Sequence, residues 1–215
     1  SSDDFYKTGK AFGKFQSMLS NYDAKKLYES IPNFHNTKER FKTFLIAIEN
    51  DKAGRVEEVK EEIEFILSRE KDTTVLIDML ESEQLPLRVT HNDTKLNNIL
   101  IDKESKEGIC VIDLDTIMPG LSLYDFGDAI RTGSTYAKED EVNLDKVYID
   151  LKLFESFTKG FLEGTNSTLT ENEVKMLPMG AKVITLEQGI RFLTDYLNGD
   201  IYYKTSYTMR EIHKI

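Results

Sequence analysis

Residues 87–128 restrict the fold of this 215-residue chain more than any other part of the sequence. They read LRVTHNDTKLNNILIDKESKEGICVIDLDTIMPGLSLYDFGD, with short β-branched runs between polar residues. Such runs are typical of short strands. Polar groups beside buried strands are costly unless they find partners or carry out chemistry, so we expect the functional site here. The polar residues are His91, Asp93, Lys95, Asn97, Asn98, Asp113, Asp115, Asp125 and Asp128.

The composition places the chain among ordinary globular proteins. Hydrophobic residues make up 40% and charged residues 31%, and the formal net charge is -10. An acidic balance argues against nucleic-acid and anionic-membrane partners, which require a basic face. The single cysteine, Cys110, allows no internal disulfide, and no apolar run approaches the roughly 20 residues of a membrane span. These features predict a soluble, cytoplasmic protein without nucleic-acid or membrane partners.

Hydrophobic residues recur at helical spacing on both sides of this central stretch. We predict helices at 3–19, 37–50, 56–67, 73–80, 124–131, 148–161 and 181–197. Thr170 and Glu173 form a capping-box pair for a helix in the last third of the chain. Gly9 and Gly13 are predicted to lie where two helices approach closely. The fold class is therefore α+β and mostly helical, with 1–86 helical, 87–133 a loop and hairpin, and 134–215 helical again.

Two of the predicted strands form a β-hairpin. Residues 98–101 and 109–112 are short strand candidates, and the charged turn between them ends in Gly108. The hairpin would present Asp113 at its exit and fold this aspartate back towards Asn98. A further short strand, residues 87–90, leads into the polar loop that begins at His91.

Asp93, Lys95 and Asn98 lie in this one loop, so their side chains can point into one cleft. The set suits phosphoryl transfer, in which an aspartate orients an acceptor hydroxyl and takes its proton while a lysine offsets charge on the phosphoryl group. Mg²⁺ prefers hard oxygen ligands and shares them with nucleotide phosphates, so Asn98 and Asp113 are sufficient protein ligands. We therefore predict that Asp93 and Lys95 are catalytic, that Lys95 and Asn98 contact the nucleotide, and that Asp93 also contacts the acceptor.

Two other residues of the stretch have different predicted roles. Asp115 is either a second metal ligand or a brace for the loop. His91 is predicted to support the loop through hydrogen bonds of its ring rather than to act as the base.

The pattern His-x-Asp-x-x-x-x-Asn, followed by a strand that ends in Ile-Asp, resembles the protein-kinase catalytic loop and its metal aspartate. The sequence Ile112-Asp113-Leu114-Asp115 is still more similar to the aminoglycoside phosphotransferase and choline kinase families. The resemblance implies a protein-kinase-like C-terminal lobe whose small β-hairpin carries the catalytic loop and the metal aspartate, with ATP and Mg²⁺ as cofactors. It also implies that Asp125, although followed by Phe-Gly, is a downstream aspartate that braces the loops.

Motifs within the loop and elsewhere in the chain are most similar to the N-acetylhexosamine 1-kinase group. That resemblance implies phosphorylation of the anomeric hydroxyl of an amino sugar, with Arg191 and Tyr202 contacting the sugar and Tyr203 adjacent. The alternative for Arg191 is a salt bridge with Asp195, and the alternative for the two tyrosines is ordinary packing. The motifs that carry the similarity are 32–37, 90–95, 111–116, 118–119, 125–128 and 198–200.

The kinase families that this chain resembles are bilobal, with an N-terminal β-rich lobe that holds ATP. The sequence begins with helical patterns, so we expect the C-terminal lobe alone, with the chain's own N-terminal lobe as its missing partner and little activity by itself. Other small hydroxyl acceptors (choline, homoserine or an aminoglycoside) remain open. So does a non-catalytic, kinase-like binding module.

Overall fold

The computed structural model describes residues 1–105, 107–137, 141 and 143–203. The described chain is α+β and mostly helical, as predicted. The helices are α1 (Ser2–Met18), α2 (Thr37–Asn50), α3 (Lys60–Leu67), α4 (Glu70–Glu81), α5 (Ser122–Gly133), α6 (Leu151–Thr165) and α7 (Glu171–Asn198). The strands are β1 (Arg88–Thr90), β2 (Ile99–Ile101), β3 (Gly108–Val111) and β4 (Met118–Gly120). Short 3-10 turns occupy Ala24–Lys26, Val56–Val59, Leu96–Asn98, Leu114–Thr116 and Leu144–Lys146.

The four strands form two small antiparallel pairs. The predicted hairpin is confirmed as β2–β3, in which Ile99 lies opposite Val111. The strand β4 was not predicted, because Pro119 and Gly120 disfavour strands. It forms because its backbone pairs with β1, with Val89 opposite Pro119. This second pair fixes both ends of the segment that runs from the polar loop to α5.

Close backbone contact between α1 and α6 confirms the prediction for the two glycines of α1. A Cβ atom at Gly9 would lie 2.4 Å from the Phe157 carbonyl oxygen, and one at Gly13 would lie 2.3 Å from the Phe161 carbonyl oxygen. These distances are far below van der Waals contact, so only glycine allows the helices to approach this closely. Gly160 of α6 meets the α1 backbone in the same way.

The long helix α7 organises the rest of the core. The Thr170 side chain accepts from the Glu173 backbone N–H and the Glu173 carboxylate accepts from the Thr170 N–H, which confirms the capping box. Glu173 also receives hydrogen bonds from Arg88 and Ser122 and so ties α7 to β1 and α5. The predicted helix 181–197 begins ten residues earlier, at Glu171, because this cap starts a helix that continues through Pro178.

Three buried clusters join α7 to the other helices. The first lies between α1, α5 and α6 around Phe126, Phe157 and Phe161, and also includes Leu177 of α7. The second joins α7 to α2 and α3, and the third joins α7 to α4 and α5. The predicted helix 56–67 is a 3-10 turn followed by α3, whose inner face fills the second cluster. No helix among the described residues is long and apolar enough to cross a membrane.

Candidate active site

The polar loop between β1 and β2 brings three of the predicted residues together. The Lys95 ammonium lies 2.7 Å from Asp93 Oδ1. The Asn98 amide nitrogen donates to the Asp93 backbone oxygen at 2.8 Å and to Asp93 Oδ2 at 3.2 Å. The Asp93 side chain is partly exposed, so its carboxylate is held from both sides and still accessible to a ligand. The positions fit the predicted roles, which remain predictions.

His91 lies fully buried at the start of the loop. Its Nε2 is 2.9 Å from the Ile112 carbonyl oxygen, and its Nδ1 is 3.3 Å from the Asp93 backbone nitrogen. A carbonyl oxygen only accepts and a backbone N–H only donates, so the proton of the neutral ring belongs on Nε2. In this tautomer the ring connects the end of the hairpin to Asp93 and has no nitrogen left for a substrate.

Asp125, in the first turn of α5, lies beneath the loop. Its carboxylate accepts from the backbone N–H groups of His91 at 3.0 Å and Asn92 at 2.8 Å, and from the Gln16 side chain. Burial raises the pKa of the Asp125 carboxyl, while these donors oppose the shift. The Asp-Phe-Gly sequence therefore belongs to a helix start that supports the loop from below.

A second α5 carboxylate supports the next residue of the loop. Asp128 Oδ2 accepts from the Thr94 backbone N–H at 2.9 Å, and the Thr94 hydroxyl donates to the Asp125 carbonyl oxygen. Asp128 is paired with Arg131 on the same helix. Close packing of α5 on α7 positions both aspartates, since a Cβ at Gly127 would lie 2.5 Å from the Gly180 carbonyl oxygen.

The hairpin returns the chain to Asn98. The Ile112 backbone N–H donates to the Asn98 carbonyl oxygen at 2.9 Å, so Asp113 follows directly beside Asn98. Asp113 has a φ of 59°, a left-handed conformation that turns the chain sharply after the strand. Its side chain is exposed, as is that of Asp115 in the following 3-10 turn.

These residues suit Mg²⁺ by their donor chemistry. The Asn98 side-chain nitrogen donates a hydrogen bond to Asp93, so the Asn98 side-chain oxygen remains to act as a ligand. Asp113 supplies carboxylate oxygens. Two oxygen ligands together with nucleotide phosphates are a normal Mg²⁺ environment. Among the described residues, no three His, Cys, Asp or Glu side chains are grouped to hold a metal by themselves.

A buried ion pair that the sequence did not point to lies behind the loop. His35 Nδ1 is 2.8 Å from Glu187 Oε1, and His35 Nε2 is 3.2 Å from the Asn92 carbonyl oxygen. Glu187 also accepts from the Thr37 hydroxyl at 2.6 Å. His35 thus connects α7 to Asn92, which immediately precedes Asp93. Asn92 has a φ of 65°, a value that is uncommon for residues other than glycine.

A cavity of about 290 Å³ opens one helical turn beyond Glu187. Arg191 and Tyr202, which the resemblance assigned to sugar contact, both line it, as does the adjacent Tyr203. The alternative of an Arg191–Asp195 salt bridge is not found among the described residues. Instead, the Asp195 carboxylate accepts from the backbone N–H groups of residues 201–203. The other lining residues are Ile31, Phe34, Arg40, Thr43, Ile190, Thr194 and Asn198.

A helical body with one polar loop, an aspartate, a lysine and an asparagine beside a hairpin aspartate is the arrangement of a phosphotransferase. A family model described as the phosphotransferase enzyme family matches residues 3–157. The match covers more than half of the chain, and the chain belongs to this family. The match includes the loop, the hairpin and helices α1 to α5, whereas all of α7, which contains Arg191, and Tyr202 lie beyond it.

Proposed function

We propose that this chain carries the catalytic and acceptor-binding groups of an ATP-dependent small-molecule kinase, whose acceptor is the anomeric hydroxyl of an N-acetylhexosamine. The observation that supports the proposal best is the loop geometry. Asp93 is accessible and fixed by both Lys95 and Asn98, next to a hairpin that ends in Asp113. Family membership supports the phosphotransferase chemistry, and the cavity beside α7 supports a small acceptor.

In the proposed reaction the acceptor hydroxyl donates a hydrogen bond to the Asp93 carboxylate. Its oxygen forms a bond to the γ-phosphorus of ATP while the bond from that phosphorus to the β,γ-bridging oxygen breaks and ADP leaves. The hydroxyl proton passes to Asp93. Lys95 offsets the negative charge on the phosphoryl oxygens, and its contact with Asp93 orients both groups before substrate binds.

Asn98 and Asp113 would hold Mg²⁺ through their oxygen atoms. The ion, when bound, neutralises charge on the nucleotide phosphates. The hydrogen bond from the Asn98 amide nitrogen to Asp93 keeps the Asn98 oxygen turned away from the base. The loop therefore separates the two tasks, with the base on one side of Asn98 and the metal ligands on the other.

The cavity favours a sugar over the cationic acceptors. Its aromatic side chains, Phe34, Tyr202 and Tyr203, offer flat apolar faces for a sugar ring, and Asn198 offers directional hydrogen bonds. Its two arginines would repel the positive charge of choline or an aminoglycoside. A volume of about 290 Å³ is at the lower end of ligand pockets and suits a monosaccharide.

The test is an acceptor panel assayed with ATP and Mg²⁺, using the complete gene product that contains this chain. N-acetylglucosamine and N-acetylgalactosamine should be phosphorylated on the anomeric oxygen, whereas choline, homoserine and an aminoglycoside should not. Asp93→Asn should lower kcat by at least ~10²-fold with an unchanged circular dichroism spectrum, because removal of a general base costs about that much. Undiminished turnover by this variant would remove Asp93 from the mechanism, and binding of ATP without transfer to any acceptor would favour a non-catalytic module.

A further inference from the structure

Two arginine side chains, Arg40 of α2 and Arg191 of α7, line the same cavity. Arg40 Nη2 donates to the Phe34 carbonyl oxygen at 3.1 Å, while its buried Nε–H has no hydrogen-bond partner among the described residues. The Arg191 guanidinium lies 5.6 Å from the centre of the Phe34 ring and 6.0 Å from that of Tyr203. Arg191 Nη1 also donates to Gln188 Oε1 at 3.4 Å, so the hydrogen-bond and ring partners of both guanidinium groups are uncharged.

The carboxylates near the cavity are already engaged with other groups. Asp195 accepts three backbone N–H groups, from residues 201, 202 and 203, at 2.8 to 3.1 Å. Glu187 is buried, and its carboxylate already contacts His35 and Thr37. Within the part of the chain that the structure describes, neither carboxylate forms an ion pair with either arginine.

Two guanidinium groups that share a pocket without an ion pair among the described residues repel each other. Burial lowers the pKa of Arg40 and the positive charge of Arg191 lowers it further, while the charge of Glu187 opposes the shift only in part. The arrangement is also unexpected in a chain whose net charge is -10, because a generally basic surface cannot account for it. An anion placed between the two groups would remove the repulsion and satisfy the buried Nε–H.

We propose that Arg40 and Arg191 bind an anionic substituent, a carboxylate or a phosphate, on the acceptor, so that the substrate class is an acidic amino sugar. This inference rests on the proposed kinase function and narrows its acceptor. Arginine is the residue best suited to the role, because its planar fork binds carboxylate and phosphate oxygens in pairs. The aromatic side chains would hold the sugar ring, and the arginine pair would hold its charged arm.

A series of contacts connects the arginine pair to the loop that contains Asp93. Arg191 lies one helical turn after Glu187, which contacts His35, and His35 contacts the carbonyl oxygen of Asn92. Asn92 precedes Asp93. The cavity wall on α7 and the loop that contains Asp93 are therefore linked through His35.

The experiment compares three acceptors with the complete gene product, ATP and Mg²⁺. N-acetylglucosamine is the neutral reference, N-acetylmuramic acid carries a carboxylate, and N-acetylglucosamine 6-phosphate carries a phosphate. We expect kcat/KM to be about 10- to 100-fold higher for one of the acidic sugars, as for a charge-assisted hydrogen bond in a partly buried site. The better of the two acids identifies the source of the charge.

Arg40→Gln should reduce the ratio of acidic to neutral kcat/KM to near one, and Arg40→Lys should give an intermediate ratio because it keeps the charge and loses the fork. Arg69→Gln removes one positive charge from a residue outside the cavity that stacks on Phe65, and should leave the ratio unchanged. Circular dichroism establishes that each variant is folded.

The outcomes separate the two proposals. Phosphorylation of the neutral sugar without preference for an acid, or an unchanged ratio in Arg40→Gln, overturns the anionic acceptor and leaves the kinase function intact. Failure to phosphorylate any acceptor overturns the kinase function. In that case, calorimetric binding of N-acetylmuramic acid or N-acetylglucosamine 6-phosphate to the wild type but not to Arg40→Gln still supports the anion site, and equal or no binding overturns it.

Discussion

Replacement of Glu187 by glutamine tests how the protein holds Asn92, the residue before Asp93. The His35 ring lies between Glu187 Oε1 and the Asn92 carbonyl oxygen, and both of these atoms only accept hydrogen bonds. Both ring nitrogens must therefore carry a proton, which makes His35 a cation. Burial by itself would lower the pKa of His35, but the charge and hydrogen bond of Glu187 outweigh it, and the pKa is raised. Asp128 adds a smaller attraction.

The size of the effect follows from burial, since the side chains of His35 and Glu187 are only 7% and 2% exposed. Removal of one partner of such a buried pair leaves the other charge uncompensated, at a cost of roughly 3–5 kcal/mol. Glu187→Gln keeps the shape of the side chain and a hydrogen bond to Thr37. We therefore expect the free energy of unfolding to fall by about 3 kcal/mol, a large part of the ~5–15 kcal/mol of an ordinary domain.

The assay is urea unfolding, followed by circular dichroism, of the wild type, Glu187→Gln, His35→Gln and the double variant. The sum of the losses in free energy of unfolding of the two single variants should exceed the loss of the double variant, because each single variant removes the same interaction. We expect the difference, the coupling energy, to be about 1–3 kcal/mol. Glu155→Gln is the control, because Glu155 pairs with Lys159 on the surface. Its free energy of unfolding should match that of the wild type within error.

The pH dependence gives a second, independent readout. The folded pKa of His35 is raised above its unfolded value, so the stabilisation is fully present below about pH 6.5 and is lost as the pH rises through the folded pKa. Between about pH 6.5 and the folded pKa of His35, the free energy of unfolding of the wild type should therefore fall as the pH rises, and that of Glu187→Gln should fall much less. Parallel pH profiles for the two proteins, or additive losses in the cycle, would refute the reasoning.

Two further predictions concern the helices that carry the site. Gly13→Ala should lower the free energy of unfolding by roughly 3 kcal/mol in urea titrations, because its Cβ would lie 2.3 Å from the Phe161 carbonyl oxygen. The control is Gly189→Ala, where a Cβ would have nothing within 4 Å, and it should raise the free energy of unfolding by about 1 kcal/mol. Equal effects of the two variants would contradict the close approach of α1 to α6. Asp125→Asn should lower the free energy of unfolding by roughly 2 kcal/mol and speed hydrogen exchange at the Asn92 backbone N–H. The reason is that the two backbone N–H groups bond to different carboxylate oxygens, whereas asparagine offers only one side-chain oxygen. Unchanged protection of the Asn92 N–H would mean that Asp125 does not hold the loop.

Local sequence patterns were sufficient to predict the elements that contain the site. Capping signals and hydrophobic spacing located the helices, and the apolar runs around Gly108 predicted the hairpin, because these signals depend on residues a few positions apart. The grouping of Asp93, Lys95 and Asn98 follows from the same cause, since a loop of this length cannot separate them widely. The strand β4 escaped prediction because Pro119 and Gly120 have no strand preference, and pairing with β1 alone makes it a strand.

The sequence by itself determined which polar residues form the candidate site. Asp93, Lys95 and Asn98 share one short loop, and one hairpin brings Asp113 back beside them. Only the tertiary structure decided what holds and surrounds them. His35 meets Glu187 across 152 positions of sequence, and Gln16 meets Asp125 across 109. Arg40 and Arg191 line one cavity because α2 packs on α7. Spacing along a chain specifies which face of a helix or strand a residue occupies. Which residue of another element it contacts depends on how whole helices pack against each other.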